Sequence, residues 1–114
     1  MKTFKQYLTE NLFQNRIFHE PTIQQLKNLA SGSENKIARF AIDNDNKMHA
    51  GDASRWYHEE LVSSDKIKYR GYIKDTGKGH VYNAWINNDS KDYKGPETER
   101  LEKRGIKHSK WEPF

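Results

Sequence analysis

The chain contains no cysteine, only three prolines and two methionines in 114 residues, and no long apolar run. Without cysteine there is no disulfide framework, no thiolate ligand for zinc and no cysteine nucleophile, which fits a protein made in a reducing cytoplasm. No segment approaches the ~20 consecutive apolar residues that span a bilayer, so no membrane partner is expected. The first ten residues also lack the unbroken apolar stretch of a secretory signal, since Lys5, Gln6 and Thr9 interrupt it. Hydrophobic residues make up only 33% and the mean hydropathy is -1.14, so the core must be small. Three Trp, six Tyr and five Phe compensate, because each aromatic side chain buries ~150–250 Å². Twenty basic and sixteen acidic residues leave a formal charge of +4. That surplus permits weak attraction to DNA or to an acidic partner without demanding either.

The length fits one domain. After Pro21, the spacing of Ile23, Leu26, Leu29 and Ala30 predicts an amphipathic helix, stopped by Ser31-Gly32-Ser33. From Lys36 to Asp43, Ala38, Phe40 and Ile42 alternate with Arg39 and Ala41, as in a strand. Asp43-Asn44-Asp45-Asn46 is turn chemistry, and 47–50 returns as the second arm of a hairpin. Asp52 is placed to cap a helix over 53–64 with Ala53, Trp56, Tyr57 and Leu61 on its buried stripe. A third strand over 67–74 and a fourth over 81–86 flank Thr76-Gly77-Lys78-Gly79. Pro96 opens a short helix with acids early and bases late, which Gly105 ends. The expected fold is α+β: a small, mainly antiparallel sheet of about four strands, with two or three helices on one face. Residues 106–114 read as a tail.

The opening Met1-Lys2-Thr3-Phe4-Lys5-Gln6-Tyr7-Leu8-Thr9-Glu10 gathers Phe4, Tyr7 and Leu8 on one side of any helix it forms. This segment, ending Leu8-Thr9-Glu10 before Asn11, resembles the capsid-targeting leader of internal head proteins of T-even-like tailed phages. The resemblance implies that residues 1–10 dock the chain on the prohead core or scaffold. A maturation protease then cuts between Glu10 and Asn11, at an accessible joint. On that reading residues 11–20 are a linker and 21–114 the domain. The protein would reside in the virion interior beside phage DNA. It would reach the host cytoplasm after synthesis or ejection, there to bind or inhibit a host defence protein. A second resemblance covers Arg39-Phe40-Ala41-Ile42-Asp43, Lys47 to Ala53 and Trp56-Tyr57-His58. It is similar to a small module of assorted phage proteins and implies no particular activity; Gly51 stands where that pattern has an aromatic.

Two constellations carry possible chemistry. His49 and His58 flank the hairpin–helix junction, with Asp52 or Asp43 as a third member. They are the candidates for acid–base work in a small hydrolase or transferase, a reading that ranks behind binding and leaves enzymatic activity an open question at this point. No metal site and no cofactor are expected: Asp43 to Lys47 lacks the ligand series of a calcium loop, and Gly77-Lys78-Gly79 does not precede a helix. The second constellation is a basic ladder. If Ile67, Tyr69 and Ile73 face inward, then Lys66, Lys68, Arg70, Tyr72 and Lys74 face outward, next to Lys78. Such a ladder can hold DNA phosphates while Tyr72 stacks on a base. Its plainer role is to guard a sheet edge.

Overall fold

The computed structural model describes residues 12–86 and 91–110. Its first full helix, α1 (Ile23–Gly32), starts at a capping box rather than at Pro21. Thr22 Oγ1 accepts from Gln25 N–H at 3.1 Å, and Gln25 Oε1 accepts from Thr22 N–H at 2.9 Å, which satisfies two donors that a helix start leaves open. Leu26, Leu29 and Ala30 are fully buried, as their spacing predicts. The helix runs through Ser31 and Gly32 before it stops.

Strands β2 (Ile37–Asp43) and β3 (Met48–Asp52) form the expected hairpin, with Phe40 opposite Ala50. Asp43 shapes its turn by accepting from Asp45 and Lys47 N–H, and Asn46 takes the left-handed conformation that asparagine tolerates. Strands β4 (Ile67–Asp75) and β5 (His80–Ile86) form a second hairpin. Its turn is closed by Thr76 N–H to Gly79 C=O, with Gly77 at φ 83°. Helix α3 (Pro96–Lys103) ends in a Schellman arrangement. Ile106 N–H reaches Leu101 C=O, Gly105 N–H reaches Glu102 C=O, and Gly105 supplies φ 85°.

The architecture is α+β, but the sheet has six strands rather than about four. The additions are β1 (Phe18–His19) and β6 (Lys107–His108), two residues each. The order is β1-β3-β2-β4-β5-β6, antiparallel throughout except for the β5–β6 pair. Strands this short carry no alternation to read; they form because the outer backbone groups of β3 and β5 need partners. The segment read as a linker is therefore packed. Phe18 is buried opposite Ala50. Gln14, also buried, donates from Nε2 to Leu29 C=O and to Asp52 Oδ2 at 2.7 Å. In the same way the start of the expected tail adds a strand at the far edge.

Each face of the sheet has its own cover. The first carries Ala38, Phe40, Ile42, Met48, Ala50, Ile73, Tyr82 and Ala84 under α1, with Leu101 and Ile106 completing the cluster. Every one is under 2% exposed, and a side chain of leucine size contributes ~1.5–3 kcal/mol on such burial. Gly71 is needed here because a Cβ would stand 2.1 Å from Phe40 Cζ. The second face carries Ile37, Ala41, Ile67 and Tyr72, covered by Ala53, Leu61, Ile17, Trp56 and Val62. Helices thus lie on both faces, not one, because β2 is buried from Ile37 to Ile42 on both sides. No helix among the described residues is long and apolar enough to cross a membrane.

The expected helix over 53–64 is the largest departure. Only α2 (His58–Leu61) is α-helical, followed by a 3-10 turn, Ser64–Lys66. Asp52 caps a turn instead: Oδ1 accepts from Ser54 N–H and Oγ, while its C=O accepts from Arg55 and Trp56 N–H. The packing explains the change. Trp56 fills the space above Gly51, where a Cβ would lie 2.7 Å from Trp56 Cδ1. Its C=O is taken by Arg39 Nη1 at 2.6 Å, so it is not spent on a helical ladder. Tyr57, expected on the buried stripe, is 69% exposed.

Candidate functional site

The polar side chains of interest converge on the second face. Pairing places His19, His49, Ala41, Arg70 and Trp85 in one row across five strands, and Gly51, Arg39, Tyr72 and Asn83 in the next. A register shift at Ile42/Asp43 sets Asp43 opposite Ile67, so that Ile67 joins this face beside Ala41 and Leu61. The expectation that Ile67 shares a face with Tyr69 and Ile73 fails at this bulge.

His49 bridges two partners. Its Nε2 lies 2.8 Å from Asp43 Oδ2, and its Nδ1 lies 2.7 Å from His19 Nδ1. Burial raises the Asp43 pKa, but the His49 hydrogen bond and the Lys47 and Asp45 N–H groups outweigh it, and the carboxyl lies below its ordinary range. As an ionised acceptor it receives a hydrogen bond from His49 Nε2–H, and the Nδ1 atoms of His49 and His19 share a second hydrogen bond. The imidazole centroids are 5.0 Å apart. Set against the 2.7 Å nitrogen separation, that is the spacing of two rings pointing head-on. The contact is a hydrogen bond between histidines, not two ligands converging on an ion. Among the described residues no group of three or more His, Asp or Glu side chains is arranged to hold a metal.

His58 is engaged elsewhere. It is 6% exposed, its Nε2 donates to Gly71 C=O at 3.2 Å, and its ring meets Tyr72 and Trp85 edge-on. Burial, together with the nearby Arg39 and Arg70 charges, pushes its pKa down to about 4, against the Gly71 hydrogen bond. A neutral, enclosed imidazole of this kind is a packing element. His49, His58 and Asp52 therefore have separate partners: Asp43 and His19 for the first, Gly71 for the second, and Ser54 with Gln14 for the third.

Arg70, Tyr72 and Lys74 of the basic ladder have the expected side of the sheet, but there the face is largely covered. Tyr72 is 8% exposed and stacks on Trp85 at 5.4 Å, so its ring offers no free face to a base. Arg70 is held by Glu59 at 2.7 Å, and this hydrogen bond lowers the Glu59 pKa. Lys66, Lys68 and Lys78 are exposed and Lys74 is half-buried; Lys66 sits in the 3-10 turn and Lys78 on the β4–β5 turn. The leader residues Phe4, Tyr7, Leu8, Thr9, Glu10 and Asn11 lie outside the described residues.

Where the cover is thin, a hollow of about 420 Å³ opens over Arg39. Arg39 itself is 4% exposed, with its guanidinium carbon 5.2 and 5.3 Å from the centroids of the Tyr57 and Tyr72 rings. Asn35, Ala53, Ser54, Arg55, Trp56 and Tyr57 complete the wall.

No family model, no curated protein and no solved structure matches this chain.

Two of these features escape a reading of the sequence. His19 lies in a segment without periodicity, and only strand pairing brings it to His49. Arg39 occupies a nominally outward position, and no periodicity tells that loop 53–57 folds back over it. The one local hint is the pair of aromatics, Trp56 and Tyr57, that follows an arginine-bearing strand.

Proposed function

We propose that this is an internal head protein of a tailed phage, packaged through residues 1–10, trimmed between Glu10 and Asn11, and acting afterwards by binding a host protein. The observation that carries this reading is the leader pattern itself: Phe4, Tyr7 and the Leu8-Thr9-Glu10 triplet ahead of Asn11. The body supports a binding role. Its core runs from Phe18 to Ile106 and is closed on both faces. His49 and His58 are held by internal partners, so the hydrolase reading draws no support from them. With Tyr72 and Arg70 engaged, the strand-based DNA-binding reading keeps only scattered lysines. The test is mass spectrometry of purified particles. Chains beginning at Asn11 are expected inside the head; chains that all begin at Met1, or none at all, would overturn the proposal.

A further inference from the structure

We infer that His19 and His49 form a proton-operated clasp, which holds β1 on the sheet edge while at most one of the two rings is charged and releases it when both are. This inference is independent of the leader. The Nδ1 atoms of the two rings lie 2.7 Å apart, a separation bridged by a single hydrogen. Whichever ring supplies that hydrogen, the other must offer a lone pair. A neutral imidazole has one such nitrogen and a cationic one has none. The closed pair therefore accepts one extra proton at most. A second would set two N–H groups against each other and two positive charges side by side.

The surroundings favour one added charge over two. Among the described residues a single carboxylate is hydrogen-bonded to the pair: Asp43, 2.8 Å from His49 Nε2 and already accepting from the Asp45 and Lys47 N–H groups. Along the same row Arg70 lies beyond Ala41 and is paired with Glu59 of α2 at 2.7 Å. Before β1, Arg16 sits over the Phe18 ring. After it, Glu20 lines a hollow with Lys47, Glu97 and Arg100. The cover on this part of the face, Ile17, Trp56, Leu61 and Val62, is uncharged. Glu60 of α2 accepts from Tyr57 N–H, and Asp65 and Lys66 are exposed in the 3-10 turn.

The strand itself is held by little else. It pairs with β3 only at Phe18 and His19, and the next N–H, of Glu20, reaches Met48 C=O at 2.7 Å. Glu20 has φ 51°, a left-handed conformation that side chains of its kind rarely enter, so the closed path is strained where it leaves the sheet. The segment is fastened independently on either side. Gln14 donates to Leu29 C=O and Asp52 Oδ2, and the buried Pro21 offers its C=O to Arg100. Release is therefore confined to the stretch between Gln14 and Pro21, where it bares the outer backbone of β3 and the place of Phe18 against Ala50. The open state binds one proton more than the closed one, so falling pH favours release. The open population rises by up to about tenfold per pH unit below the ordinary histidine value of about 6.5.

The experiment is amide hydrogen exchange of the full chain, followed by nuclear magnetic resonance between about pH 8 and 5, a window in which His58, at about 4, stays neutral. Protection is taken relative to the unstructured rate at each pH. The Glu20 amide reports on β1, and the Ala53 amide, bonded to Ile37 C=O at 3.0 Å, on the β2–β3 hairpin. Glu20 protection is expected to fall by up to about tenfold per pH unit in the acid half of the window, while that of Ala53 holds. His19→Gln, at an exposed position, and His49→Gln each leave one titrating ring, and in both the Glu20 protection is expected to lose its pH dependence. The inference is overturned if Glu20 protection in the parent does not change with pH, or if Glu20 and Ala53 lose protection together. It is equally overturned if His19→Gln, still folded, keeps the parent's pH response.

Discussion

The two faces of one sheet are built on different terms. The first is mainly apolar: Phe40, Ile42, Ile73, Tyr82 and Ala84 pack beneath a regular helix with a capped start. The second buries Arg39, His58 and Tyr72 beneath a turn, a single helical turn and a 3-10 turn. Apolar packing is non-directional and needs only matching volumes. Buried polar groups need partners at set distances, and a cover able to supply carbonyls such as that of Trp56 cannot also be a continuous helix. Regular structure therefore accompanies the apolar face, irregular structure the polar one. The hollow over Arg39 belongs to the second.

If this contrast is right, the first face should be brittle to volume and the second to proton and charge. The largest effect is expected from Gly71→Ala. Its new Cβ meets Phe40 Cζ at 2.1 Å, and overpacking a closed core should cost about 3 kcal/mol or more in denaturant unfolding. Adding Phe40→Leu should recover part of that loss. A double variant no better than Gly71→Ala would show that the ring is not the obstacle.

The next effect is a pH dependence set by His58. Its pKa falls from 6.5 in an unfolded chain to about 4 in the fold, so the unfolded state binds the extra proton more readily. The associated stability is fully present above pH 6.5 and is lost as pH falls toward 4, amounting to about 3 kcal/mol across that window. His58→Gln, which cannot take up the proton, should flatten this part of the stability–pH curve. An unchanged slope would place the titration elsewhere.

The smallest effect should come from Glu59→Gln. The carboxyl is half exposed and pairs with Arg70 at 2.7 Å, so solvent screening limits the loss to under about 1 kcal/mol in thermal unfolding. A much greater loss would mean that Arg70 is more deeply enclosed than the partly exposed pair indicates.

The difference between the faces also explains what could be read from the residues. The α1 stripe, both hairpins and α3 follow from spacings of three, four and two and from turn residues, all of which act over a few positions. Phe18 and His19 could not be placed, because a two-residue strand is defined only by Ala50 and His49 across the gap. The helix expected over 53–64 failed for a related reason. Ala53, Trp56, Tyr57 and Leu61 have helical spacing, yet Gly51 leaves a space that Trp56 fills and Arg39 claims the Trp56 carbonyl. Of the candidate side chains, Asp43 kept its turn role and gained His49, whereas Tyr72 lost its exposure to Trp85 and His58.

Composition alone determined that this chain has no thiol chemistry and must rely on aromatics for its core, and local pattern alone determined which segments fold as α1, β2, β4 and β5. Those are consequences of side-chain type and near-neighbour spacing. Tertiary structure decided the edge strands, the second helical cover, the fate of each histidine and the enclosure of Arg39. Each of these depends on backbone and side-chain groups brought together from distant positions, and no local propensity encodes such a meeting.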